Sequence, residues 1–168
     1  SRISGKFVST AGEKGAETET FFLNSMSYRG CQGCDACKGK SEKCVQKDDL
    51  TNLFESLMTA DIALFATPVY YADVTGQFQC FFDRTWSLVK PDYMSNPNPT
   101  RIPPGKKAVL VLTQGDGEDK HKDVLGRYQT FLSWYGFDVN VIRASDCGME
   151  PDTNVDRYLD QAEALAME

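Results

Sequence analysis

The chain has 168 residues, 41% of them apolar and 25% charged, which is the composition of one ordinary globular domain able to build a core without metal or disulfide staples. Its net charge is −6 and its 18 Lys and Arg are scattered among 24 Asp and Glu, so no basic stripe exists to neutralise phosphates and nucleic-acid binding is disfavoured. No apolar run approaches the roughly 20 residues that span a bilayer, so no membrane partner is expected and residence in the cytoplasm is the default.

In chain order, Ile3, Phe7, Val8 and Ala11 are spaced for one face of a helix over residues 2–14, with Gly15 as its stop. Residues 17–23 end in the β-prone run Phe21-Phe22-Leu23 and read as a strand. Residues 28–47 are rich in Gly and Lys and poor in pattern, a loop. Asp48 is a good N-cap for a helix carrying Leu50, Leu53, Phe54, Leu57 and Met58. Residues 61–66 are apolar on both sides, as in a parallel strand covered on each face. They lead into a loop at 67–73, then a helix through Phe78, Phe81, Phe82, Trp86 and Leu88.

The Pro- and Asn-rich stretch 90–105 is a long excursion, suited to a functional or interface role. Residues 107–112 form a second buried strand, and 119–135 a helix facing inward through Val124, Leu125, Tyr128, Phe131 and Leu132. Residues 137–142 are a last strand. Pro151 is placed to begin a final helix with Val155, Tyr158, Leu159, Ala162 and Leu165 inward. The alternation predicts a single α/β domain over 1–168, a parallel sheet with helices on both faces. The opening helix has no strand ahead of it, so a doubly wound plan would put its first strand and phosphate loop before Ser1.

The least expected feature is Cys31-x2-Cys34-x2-Cys37-x6-Cys44, four of the six cysteines within fourteen residues. In a reducing compartment such density reads as a metal or redox site rather than as structural disulfides. An all-thiolate zinc site and an iron–sulfur cluster both use such short spacers, and thiols kept without metal are a third reading.

In open parallel sheets ligands bind beyond the C-terminal strand ends. Three loops qualify. The first ends at Ser1, Arg2 and Ser4, where helix amides and side chains could face an anion. The second holds Pro68, Val69, Tyr70, Tyr71, Ala72, Asp73 and Thr75, whose tyrosine rings suit a planar heterocycle. The third is Thr113, Gln114, Gly115, Asp116 and Gly117, whose glycines permit close backbone approach. Taken alone, Tyr70 and Tyr71 read more readily as loop aromatics packing on their neighbours, and the third loop equally as a plain turn.

Together, the cysteine spacing, Lys47-Asp48-Asp49, Thr67-Pro-Val-Tyr-Tyr-Ala-Asp-Val-Thr75 and Phe82-Asp-Arg84 resemble the NADPH-dependent FMN reductase and iron–sulfur flavoprotein family over most of residues 21–141. The resemblance implies a flavodoxin-like, doubly wound three-layer α/β/α fold whose first strand is missing from this sequence. It implies FMN across the strand ends, with its ring system against 68–75 and 113–117 and its phosphate at the first helix. Only Ser1 and Arg2 stand near the family's Gly-Ser-x-Arg phosphate loop. It further implies NADPH or NADH as donor, hydride arriving at flavin N5 with no catalytic side chain, a [4Fe–4S] cluster on the four cysteines, and a homodimer or homotetramer. On this reading the protein is an oxidoreductase serving a small-molecule or protein acceptor. The rival is a non-catalytic electron carrier or a zinc-stabilised interaction module.

Of the remaining residues, Cys80 is expected in the core, Cys147 without a role, and His121 as a solvated helix residue. Asp83 and Arg84 could form a functional pair, but separate helix-surface charges or a subunit contact are the expectation, because adjacent helix residues do not face each other. The cysteine loop is expected on the same edge as the flavin loops.

Overall fold

The computed structural model describes residues 1–39, 41–148 and 155–167. Helix α1 (Arg2–Glu13) is capped by Ser1, whose Oγ accepts from Ser4 N at 3.3 Å, and it buries Ile3, Phe7 and Thr10. Helix α2 (Leu50–Thr59) buries Leu50, Leu53, Phe54 and Leu57. Strand β1 (Ile62–Tyr70) turns into the two-residue β2 (Asp73–Val74), and α3 (Gly76–Arg84) follows. The strand β3 (Lys107–Thr113), helix α4 (Lys122–Trp134), strand β4 (Asp138–Ala144) and helix α5 (Asp156–Ala166) complete the chain. Pro151 lies outside the described residues.

The sheet order is β2-β1-β3-β4, with β1, β3 and β4 parallel and β2 antiparallel to β1. Residues 108–112 of β3 are all buried, as befits a strand with helices on both faces. Alternation sends Val109 and Val111 toward α1 and α5, with Ile142, Ala144, Tyr158 and Ala162. Ala108, Leu110 and Leu112 face α2, α3 and α4. That second face is packed with rings: Phe78 lies 5.9 Å from Phe82, and Phe82 meets Tyr128 edge-on at 5.0 Å. The expected three-layer α/β/α sandwich is thus present.

Residues 17–23 are not a strand. They run without a ladder into a 3₁₀ turn at Leu23–Ser25, with Phe21 and Leu23 tucked against the core and Phe22 exposed. β-prone side chains supply no pairing partner, and side-chain packing rather than backbone bonding holds this stretch. Among the described residues the edge of β1 away from β3 is met only by β2, at Val69 and Tyr70.

The segment expected as a loop from residue 67 is strand through Tyr70, with Pro68 in register with Thr113. The strand ends in a two-residue turn whose central residues, Tyr71 and Ala72, both have positive φ (52° and 61°). This is the geometry of a type I′ hairpin, normally supplied by Asn and Gly.

The excursion at 90–105 folds back on itself. Lys90 N donates to Pro99 O at 2.9 Å, Arg101 N to Leu88 O at 2.7 Å, and Tyr93 wedges edge-on between Trp86 and Trp134. Helix α3 stops at Arg84 and gives way to a 3₁₀ turn, Thr85–Leu88.

Candidate functional site

The register Pro68↔Thr113↔Ala144 puts the hairpin, the 113–117 loop and the turn after β4 at the C-terminal end of three neighbouring parallel strands. Helices α1 and α5 lie side by side and run the same way, joined by Arg2–Asp156 at 3.5 Å and Lys6–Glu163 at 2.7 Å. Because α5 starts after β4, Ser1, Arg2 and Ser4 lie at that same end. All three loops singled out by residue type therefore converge.

The hairpin presents its rings outward, Tyr71 fully exposed and Tyr70 65% exposed. Its other side chains are already committed. Asp73 accepts from Val74 N at 2.8 Å and from Arg127 Nη1 at 2.7 Å, and Tyr128 OH reaches Asp73 and Gln79. Burial opposes the charge of Asp73, but Val74 N–H and Arg127 outweigh it and hold its carboxyl below the ordinary value. Burial, and then the Asp73 charge, push the Tyr128 phenol up to about 12. Thr75 caps α3 by accepting from Phe78 N at 3.3 Å and bonds to Thr67 through their hydroxyls. Tyr70, Tyr71 and the turn backbone are what the hairpin offers a ligand.

In the 113–117 loop, the side chain of Gln114 is buried and turned inward. Its Nε2 donates to the carbonyls of Asp116, Gly117 and Lys120, and its Oε1 accepts from Arg143. Backbone, not the Gln114 amide, faces a ligand there. His121 is not a solvated helix residue: it precedes α4 with φ 56° and pairs through Nε2 with Asp116 Oδ2 at 2.9 Å. Cys147 is half-buried and its N–H donates to Gln114 O.

The cysteine loop lies along α3. Tyr28 OH donates to Gln77 O, Gly30 rests against Cys80, and the thiols lie beside Arg84, Trp86 and Ser87. The loop's first residues thus meet the first turn of α3 beside the hairpin, while its thiols lie by Arg84 at the other end of that helix, about 12 Å along it at 1.5 Å per residue. The loop expected on the hairpin's edge touches that edge only at its start and then follows the helix flank. Cys80 is exposed rather than in the core.

Cys31, Cys34, Cys37 and Cys44 line one small cavity of about 20 Å³. Cys37 is buried, Cys44 half-buried and the other two exposed, all as free thiols. Burial pushes the Cys37 thiol up against the pull of Lys38, with Cys44 and Cys31 near enough to add their charge. Lys38 donates to the carbonyls of Trp86 and Val89 and sits 4.0 Å over the Trp86 ring, whose Nε1 donates to Asp35 at 3.1 Å. Arg101 donates to the carbonyls of Ser87, Val89 and Cys37. These two cations latch the loop to the 3₁₀ turn.

Arg84 is not a surface charge. Its side chain is 1% exposed and its Nη1 and Nη2 meet Asp48 at 2.8 and 3.2 Å, while Nη1 also donates to Arg29 O. Burial disfavours the guanidinium charge, but Asp48 and the neighbouring Cys44 outweigh it. The Asp48 carboxyl, against its own desolvation, is held below the ordinary value chiefly by Arg84. Asp48 also accepts from Leu50 N at 3.3 Å, although the capping position proper belongs to Asp49. Sequence reasoning missed this pair. The signal was there, since Arg84 follows Phe81 by three residues on the inward face of α3.

No three His, Cys, Asp or Glu among the described residues converge as a single ion requires. Four soft donors instead line a cavity with the buried Arg84 in its wall, and four terminal thiolates are the donor set of a polynuclear, sulfide-bridged group.

A mostly parallel sheet with helices on both faces and three loops at its C-terminal edge defines an α/β protein of the flavodoxin-like class. The family model described as NADPH-dependent FMN reductase matches residues 2–144, and the chain belongs to that family. An iron–sulfur flavoprotein of Methanocaldococcus jannaschii is 35% identical over 104 residues, 62% of this chain and 49% of that one. One of Archaeoglobus fulgidus is 36% identical over 91 residues, 54% of this chain and 46% of that one. The chain spans about half the length of these relatives. Among solved structures, the NAD(P)H:quinone oxidoreductase from Methanothermobacter marburgensis superimposes with TM-score 0.69 at 19% identity, over 98% of this chain and 85% of that one. An FMN-dependent NADH-azoreductase from Bacillus anthracis, in complex with FMN, gives 0.69 at 12% identity over 99% and 89%. At such identity these two speak for the fold alone.

Proposed function

We propose that the chain is the FMN-binding part of an oxidoreductase that takes electrons from NADPH or NADH and hands them to a small-molecule or protein acceptor. One observation carries this reading: an exposed two-tyrosine hairpin, the 113–117 backbone and the first turn of α1 share the C-terminal strand ends, where open parallel sheets bind ligands. The printed descriptions of the family and of its iron–sulfur flavoprotein relatives agree with it.

In this reading Ser1, Arg2 and Ser4 with the α1 amides hold the FMN phosphate. Tyr70 and Tyr71 lie against its planar rings, while Pro68, Val69, Ala72, Asp73 and Thr75 shape the hairpin. Backbone N–H groups of residues 71–75 and of Thr113, Gln114, Gly115, Asp116 and Gly117 line the polar edge of the flavin and stabilise negative charge there. Bound FMN supplies the hydride-accepting centre, so no side chain of this chain need act as nucleophile or base.

Cys31, Cys34, Cys37 and Cys44 would hold a [4Fe–4S] cluster, which supplies one-electron chemistry when bound. Zinc is the rival occupant and would need the four sulfurs to converge to about 2.3 Å from one ion. Exposed free thiols fit a reducing, cytoplasmic setting. A homodimer or homotetramer is part of the proposal.

Anaerobic purification followed by FMN titration, with iron and sulfide quantitation, tests it. Stoichiometric FMN with four irons is the expected result. A protein that takes up no FMN rejects the oxidoreductase reading, and stoichiometric zinc without iron rejects the cluster.

A further inference from the structure

Arg84 offers one more polar atom than its partners use. Its two terminal nitrogens are taken by Asp48 and by Arg29 O, but the Nε–H is buried and has no acceptor among the described residues. A buried guanidinium N–H without a partner keeps its full desolvation penalty, so such atoms are rare in folded proteins. This one belongs to a side chain in the wall of the cysteine cavity, with Cys44 as its neighbour. Asp48, on the far side of the guanidinium, fixes the plane of the fork and prevents it from turning to find water.

We propose that Arg84 is a positioning residue for the thiolate site: its Nε–H is held ready to donate to the sulfur of Cys44 once that sulfur carries a metal cluster. The inference rests on the cluster reading above and deepens it. A free thiol is a weak acceptor, whereas a metal-bound thiolate is a strong one. Cys44 already lies against the guanidinium in the metal-free chain, and its metal-bound thiolate would be the acceptor that satisfies the orphaned Nε–H. Hydrogen bonds and positive charge beside cluster sulfurs favour the more negative, reduced state and raise the reduction potential. Asp48 partly offsets the charge but leaves the directional N–H in place, so the donor acts chiefly through that bond.

The test compares wild type with Arg84→Lys, which keeps a cation for Asp48 and loses the planar Nε–H. In anaerobically purified protein, the midpoint potential of the cluster is expected to fall in the variant by a tenfold change in the reduction equilibrium, about 59 mV for one electron. Asp48→Asn breaks the ion pair without removing the N–H and is expected to leave the potential above that of Arg84→Lys. The decisive measurement needs no variant. Wild-type protein labelled with ¹⁵N-arginine and reduced should show a nitrogen coupling to the cluster spin by pulsed electron paramagnetic resonance. Absence of that coupling in a protein that does contain iron and sulfide overturns the inference and leaves the cluster reading standing. A wild-type protein that binds no iron overturns both. If Arg84→Lys loses its cluster or its fold, the wild-type coupling alone decides.

Discussion

Arg84 and Asp48 lie 36 residues apart and form a two-pronged ion pair, with the guanidinium 1% and the carboxylate 15% exposed. It joins the end of α3 to the start of α2 and closes the base of the cysteine loop through Arg29, whose carbonyl and N–H both bond to the pair. Removing one partner leaves the other buried and uncompensated, which typically costs about 3–5 kcal/mol. Asp48→Asn is therefore expected to lower the urea midpoint markedly in metal-free protein. The pH dependence follows from the depressed carboxyl. The pair's contribution is complete above the unfolded aspartate pKa and is lost as pH falls through the lower folded value. Wild type should lose more stability on acidification than Asp48→Asn does. Equal acid sensitivity of the two proteins in denaturant melts would contradict this.

The hairpin turn stores strain. Tyr71 and Ala72 both occupy the left-handed region, each at a cost of about 1–2 kcal/mol for a residue with a Cβ. Ala72→Gly relieves one of them and should stabilise the protein by about 1 kcal/mol, read as a higher thermal midpoint. Tyr71→Gly should stabilise in the same way yet weaken FMN binding, because the exposed ring is lost. A joint rise in stability and affinity for Tyr71→Gly would argue against ring stacking there.

Asp73 ties the same hairpin to α4 through Arg127 and Tyr128. Both partners of the Asp73–Arg127 pair are close to half exposed, so it contributes only about 0.2–1 kcal/mol to global stability. Its effect should be local. Arg127→Ala is expected to speed amide exchange at residues 70–74 and to raise the FMN dissociation constant while scarcely moving the thermal midpoint. Unchanged exchange at the hairpin would show that the anchor does not order it.

The four thiols should differ in reactivity when no metal is present. Cys37 is buried and its pKa is raised, first by desolvation, whereas Cys31 and Cys34 are exposed. Timed alkylation with mass-spectrometric readout should label Cys31 and Cys34 early and Cys37 last. Early modification of Cys37 would mean that the Lys38 and Arg101 latch is open in solution.

The sandwich itself was legible. Helix faces such as Leu50, Leu53, Phe54 and Leu57, and the doubly apolar β3, repeat with the period of the structure they form, because burial sets that period. Residues 17–23 misled because strand propensity describes a side chain's fit to a pleated surface and says nothing about a partner. The hairpin was obscured by its own strain, since Tyr-Ala stands where a type I′ turn ordinarily has Asn-Gly. At the candidate site, residue types found the right loops, but not which side chains were already engaged. Gln114 and Asp73 are satisfied in part by groups 29 to 55 residues away, and only the folded chain brings those together. Arg84 carries the charge of a surface residue at a buried helical phase, and its partner Asp48 lies 36 residues away.

The bare flank of β1 has a consequence for handling the chain. Over Ile62–Pro68 its outward N–H and C=O groups face no strand among the described residues, and Ile62 and Ala66 are exposed there. A long, apolar, uncharged edge is a template on which a foreign segment can add itself by main-chain bonding. Turbidity and concentration-dependent assembly of the isolated polypeptide should therefore begin at this flank, and a charge introduced at Ala66 is the smallest change that guards it.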